Sequence, residues 1–135
     1  MVTITGEYSG ELHCRAVHGP SSSTLQTDAP KDNQGRGEAF SPTDLLATAL
    51  ATCAVTTLAI AARREGVELG AIRYEVTKEM SAEGPRRIGR LVLRLWLPPE
   101  AKALPDGLVR RTVEGCPVAR SLSGELAQVI DLNWA

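Results

Sequence analysis

A chain of 135 residues with 43% hydrophobic and 23% charged side chains has the size and composition of a single globular domain spanning 1–135. Its formal net charge of −1 weighs against nucleic-acid binding and polybasic membrane attachment, both of which call for a basic excess. With one Phe, two Tyr and two Trp, the core must be aliphatic, and a platform of stacked aromatics for single-stranded nucleic acid is excluded as well.

The chain begins Met1-Val2-Thr3-Ile4-Thr5-Gly6-Glu7, with neither the basic start nor the apolar run of a signal peptide, so a cytoplasmic protein is expected. In a reducing compartment the three cysteines, Cys14, Cys53 and Cys116, are not expected to form a structural disulfide. No CxxC or HxxxH spacing is present, and no metal site is expected.

Residues 2 to 9 alternate weakly and predict a strand, with a turn at Gly10. Leu12 to Val17 and Ser23 to Asp28 predict two more, separated by the turn His18-Gly19-Pro20-Ser21. Residues 29 to 41 form a polar, Gly-containing loop, long for a compact domain, and long loops often carry function.

Ser41-Pro42-Thr43-Asp44 is a helix start, with Ser as N-cap, Pro at the first helical position and an acid at the third. The helix should run to Arg63-Arg64-Glu65 and stop at Gly66. No residue from Leu45 to Ala62 is charged. That stretch is just long enough to span a membrane, but Thr48, Thr52, Thr56 and Thr57 interrupt it and Ala is frequent, so a buried core helix is the reading adopted. A helix of about 33 Å, buried all round, leaves a chain this short with too little material to wrap it. A second subunit would supply the cover, which predicts an intimate homodimer and no membrane.

Ile72, Tyr74 and Val76 alternate with Arg73, Glu75 and Thr77, and Leu91, Leu93, Leu95 and Leu97 alternate with Arg90, Val92, Arg94 and Trp96. These are two half-buried strands of period two, joined as an antiparallel hairpin through Glu83-Gly84-Pro85. Helices follow over 106 to 114 and from Cys116-Pro117 through Leu122, and Leu126 to Leu132 closes the chain as a strand. The order is βββ-α-ββ-αα-β, an α+β domain around a long buried central helix.

Cys53 lies mid-helix and Cys116 at a helix N-terminus, where the dipole and free N–H groups favour a thiolate. Cys53 has no such help from its own helix, and an external cation is expected to be needed to make it reactive. From these residues alone, two buried cysteines with no role are the plainer reading.

Ser41-Pro42-Thr43-Asp44-Leu45-Leu46-Ala47 followed by Cys53 resembles the helix signature of the OsmC/Ohr family, and Gly115-Cys116-Pro117-Val118-Ala119 resembles its second-cysteine signature. The resemblance covers nearly the whole chain. It implies an intertwined homodimer with two active sites at the subunit interface, and a thiol-dependent peroxidase that reduces small organic hydroperoxides to alcohols. By position it makes Cys53 the peroxidatic residue, oxidised to a sulfenic acid, and Cys116 the resolving one. It implies no bound cofactor, only an external dithiol or lipoylated reductant. Family peroxidases use an arginine held by a glutamate. Arg36, in the Gly-flanked stretch Gly35-Arg36-Gly37-Glu38, is the candidate, with Arg15 as second choice. The family glutamate follows the proline, where this chain has Thr43; Asp44 comes one residue later and is expected to act as a cap, leaving Glu38 to hold Arg36. That departure keeps open a non-catalytic or redox-sensing stress protein that binds a small apolar ligand. Cys14 has no counterpart in the family pattern, and His13 and His18 read as structural or surface residues.

Overall fold

A computed structural model describes residues 1–135. The chain condenses into two compact units, residues 1–46 and 47–135. The first holds β1 (Ile4–Gly10), β2 (His13–His18) and β3 (Thr24–Asp28), an antiparallel sheet in the order β1-β2-β3. The β1–β2 turn carries Gly10, Glu11 and Leu12 at positive φ, and the register shifts between Tyr8 and Gly10. Leu12 is a poor residue for this conformation; its carbonyl accepts the Ala29 N–H at 3.0 Å, which ties the turn to the far end of β3.

The long loop is compact. A 3-10 turn over Lys31–Asn33 ends at Gln34 in the left-handed region. Gly35 lies against Ala29 so closely that a Cβ would come within 1.7 Å of the Ala29 oxygen, so only glycine fits. The loop delivers the chain to α1 (Pro42–Arg64). The entry is a reciprocal cap: the Asp44 N–H donates to Ser41 Oγ at 3.1 Å, and the Ser41 N–H donates to the Asp44 carboxylate at 2.9 Å. Ser41 is buried, so this pairing satisfies polar groups that water does not reach.

The second unit contains most of α1, then β4 (Arg73–Met80), β5 (Ile88–Leu97), α2 (Leu108–Glu114), α3 (Pro117–Ser121) and β6 (Ala127–Trp134), with a 3-10 turn over Pro99–Ala103. β5 is central, antiparallel to β4 and parallel to β6. Leu91, Leu93 and Leu95 are fully buried and Leu97 nearly so, as their alternation requires. The opposite face carries charge ladders, Glu75–Arg94 at 2.7 Å and Arg90–Glu79 at 3.6 Å, with Arg73 stacked on Trp96.

The elements follow the predicted order, and the fold is the expected α+β. The chain by itself covers one side of the central helix, in keeping with its having too little material to wrap it. By length and composition α1 could cross a bilayer, but only 33% of its apolar stretch is buried. Ala47, Leu50, Ala51, Ala54, Leu58 and Ala62, spaced three and four apart, form the buried face. Ala49, Thr52, Thr56 and Ile60 form an exposed one. Small and weakly polar residues blur the contrast between the two faces, which is why composition alone read as apolar all round.

Candidate active site

Two elements of the second unit build the site. Cys53 projects from the middle of α1 and is half-buried; Cys116 is the N-cap of α3 and has no exposed surface. Pro117 occupies the first position of α3, where its missing N–H costs nothing, and extended backbone at Cys116 starts the helix abruptly. Both thiols are free, and each is among the groups that shift the other's acidity.

Their environments push their acidities apart. Burial raises the pKa of Cys53, but three donors outweigh it and hold the thiol below its ordinary value: the Val118 N–H, the Thr57 hydroxyl and the Cys116 thiol. The Thr57 hydroxyl stands 3.8 Å from Cys53 Sγ. Cys116 moves the other way. Burial is the main cause, and the bond to Cys53 adds to it, against weaker opposition from the Ala119 and Val118 N–H groups. The two thiols are thus shifted in opposite directions, Cys53 toward the thiolate and Cys116 toward the protonated thiol.

No cation is among the groups that shift Cys53 in this chain. The donors that lower its pKa are neutral, and one of them is the first turn of α3, brought to the sulfur by the fold. Thr57 was missed in the sequence, although its place one helical turn after Cys53 was a usable signal.

The remaining candidates lie in the first unit. Arg36 is exposed and pairs with Glu11 at 3.5 Å, a solvated contact. Glu38 does not hold it by an ion pair; the Glu38 N–H instead donates to the Asp28 carboxylate at 3.1 Å. The early turn thus supplies the acid that the loop was expected to supply. Asp28 is buried and also bonds His13 Nδ1 at 2.5 Å, so His13 is structural, as expected. The His13 bond, the Glu38 N–H and the charges of His13 and Arg36 lower the Asp28 pKa against the opposing effect of burial. Asp44 is the helix cap anticipated, and Thr43 Oγ1 lies 3.1 Å from Ser41 Oγ. Arg15 is exposed on β2 between Glu7 and Gln26 of the flanking strands. No group of three or more His, Cys, Asp or Glu side chains that could hold a metal ion is present.

An α+β chain with a thiol on a long central helix and a second thiol at the start of a short helix defines a class of two-cysteine proteins. The sequence profile of OsmC-like proteins matches residues 35–129, and the chain belongs to the OsmC-like family. A Psychrobacter arcticus protein described as an osmotic stress induced and detoxification response protein superposes with a TM-score of 0.87 at 39% identity, over 98% of this chain and 96% of that one. Two solved structures share the fold at lower identity. One is a Legionella pneumophila organic hydroperoxide resistance protein OsmC (17% identity, TM-score 0.72, 98% and 96% covered). The other is a Vibrio cholerae protein described as an organic hydroperoxide resistance protein (21%, 0.76, 98% and 91%). A search of curated proteins found no match.

Proposed function

We propose that this protein is a cysteine-based peroxidase that reduces organic hydroperoxides to alcohols. What supports the reading is a pair of free cysteines that shift each other's acidity in opposite directions, Cys53 lowered and Cys116 raised. The Cys53 thiolate attacks the terminal peroxide oxygen, the O–O bond breaks, and the alkoxide leaves as an alcohol after taking a proton. Cys53 is then a sulfenic acid. The Cys116 sulfur attacks the Cys53 sulfur, hydroxide leaves and takes the Cys116 proton as water, and a disulfide forms. An external dithiol, small or lipoylated, returns both thiols at the expense of its own oxidation. The opposed acidities suit this order: the acidic thiol is the nucleophile, and the buried one keeps its proton until the leaving hydroxide accepts it.

Arg36 is the proposed cation for the departing alkoxide, on the strength of its Gly-flanked loop. The protein is proposed to act as an intertwined homodimer in the cytoplasm. The exposed face of α1 and the exposed Ile4, Tyr8, Leu25 and Phe40 support the dimer, since solvent is a poor neighbour for that much apolar surface. The departure at Thr43 favours a second reading, a redox-sensing stress protein with slow turnover and a small apolar ligand.

The test is peroxide consumption with a dithiol reductant. Wild-type protein should turn over tert-butyl hydroperoxide, Cys53→Ser should abolish turnover, and Cys116→Ser should form no intrachain disulfide and turn over more slowly, the dithiol then reducing the Cys53 sulfenic acid directly. Arg36→Ala should lower kcat/KM by about 10²-fold or more, the usual cost of one donor to a developing oxyanion. Absence of any dithiol-dependent peroxide loss in the wild type rejects the enzyme and leaves the sensor.

A further inference from the structure

Three threonines follow one another along the central part of α1, and they use their hydroxyls differently. Thr52 Oγ1 donates to the Thr48 carbonyl at 2.9 Å, and Thr56 Oγ1 donates to the Thr52 carbonyl at 2.8 Å. This is the ordinary choice for a threonine inside a helix, where the hydroxyl bonds back to the carbonyl one turn earlier. Both are exposed. Thr57 breaks the pattern. The carbonyl one turn before it belongs to Cys53, yet its hydroxyl faces the Cys53 sulfur, and that sulfur is its hydrogen-bond partner. It is also half-buried, where a hydroxyl without a partner would be costly.

We propose that Thr57 is an activating residue of the thiol chemistry, its hydroxyl donating to the Cys53 thiolate and holding that charge in place of a cation. The proposal rests on Cys53 being the attacking thiol. A donor on the same helix, one turn away, has its geometry fixed by the helix itself, so it is in place before substrate arrives and needs no ion pair to form. The other two groups acting on Cys53, the Val118 N–H and the Cys116 thiol, are neutral as well. Of the three, the Thr57 hydroxyl is the one a single near-isosteric substitution removes. A hydrogen bond to an ionised group is stronger than one to a neutral group, so the hydroxyl favours the thiolate over the thiol.

The experiment measures alkylation of Cys53 by iodoacetamide against pH, read by mass spectrometry of the Cys53 peptide in a Cys14→Ser background. In Thr57→Val the half-point should rise by about 0.5–1 unit, which lowers the alkylation rate near pH 7 by about three- to tenfold. Thr57→Ser should restore the wild-type half-point. An unmoved half-point in Thr57→Val overturns the proposal, and so does a raised one that Thr57→Ser fails to restore, because packing would then be the cause. If Thr57→Val loses its native circular dichroism, Thr57→Ala takes its place with the same expectations. The peroxidase reading fails separately: a half-point that shifts and is rescued, in a protein that consumes no peroxide, keeps Thr57 in this role and removes the enzyme.

Discussion

At the scale of single residues, the two cysteines differ more in surroundings than in chemistry. A cysteine reacts as its thiolate, so the lowered pKa of Cys53 enlarges that fraction at neutral pH, and the fraction falls as the pH drops through the folded value. Cys116 is buried and raised. Limited alkylation near pH 7 should therefore modify Cys53 well before Cys116, with Cys14 labelling as an ordinary exposed thiol. Equal labelling of Cys53 and Cys116, followed by peptide mapping, would contradict the assignment. Asp28 carries a second residue-scale prediction. Its folded pKa lies below its ordinary value of 3.8, so its contribution to stability is present above that value and is lost as the pH falls through the folded one. Thermal unfolding followed from pH 6 to pH 2 should show this acid loss, and Asp28→Asn should flatten it.

At the scale of elements, α1 depends on its cap and on its buried stripe. Removing the Ser41 hydroxyl breaks the reciprocal pairing with Asp44, and Ser41→Ala should cost about 1 kcal/mol in denaturant unfolding. Leu58 has no exposed surface, and Leu58→Ala should cost about 2–5 kcal/mol by the same measurement, the spread reflecting how far the cavity collapses. These elements were readable in the sequence because their signals are local. Ser41-Pro42 marks a helix start whatever surrounds it, and the Leu91 to Leu97 alternation marks a strand with one buried face. What escaped was non-local. No residue in β6 announces that it pairs parallel to β5, and the choice of Glu11 over Glu38 as the partner of Arg36 depends on how a turn and a loop meet. The conformation that aims Thr57 at a sulfur rather than a carbonyl is likewise invisible until the helix and its neighbours are in place.

At the scale of the whole molecule, the resemblance drawn from two short motifs carried the family and the fold. The proposed homodimer belongs to this scale. Sedimentation equilibrium should give twice the mass of the 14.4 kDa chain. Replacing Ile60, on the exposed face of α1, with Asp should shift the equilibrium toward monomer while leaving the buried face intact. The central claim, however, is that two sulfurs from separate helices act as one redox couple. The most direct measurement treats the reduced protein with one equivalent of tert-butyl hydroperoxide and maps its disulfides by mass spectrometry. The account predicts a Cys53–Cys116 bond within each chain and a mass lower by two hydrogens. Recovery of Cys53 as a lasting sulfinic or sulfonic acid, with Cys116 still a free thiol, would contradict it.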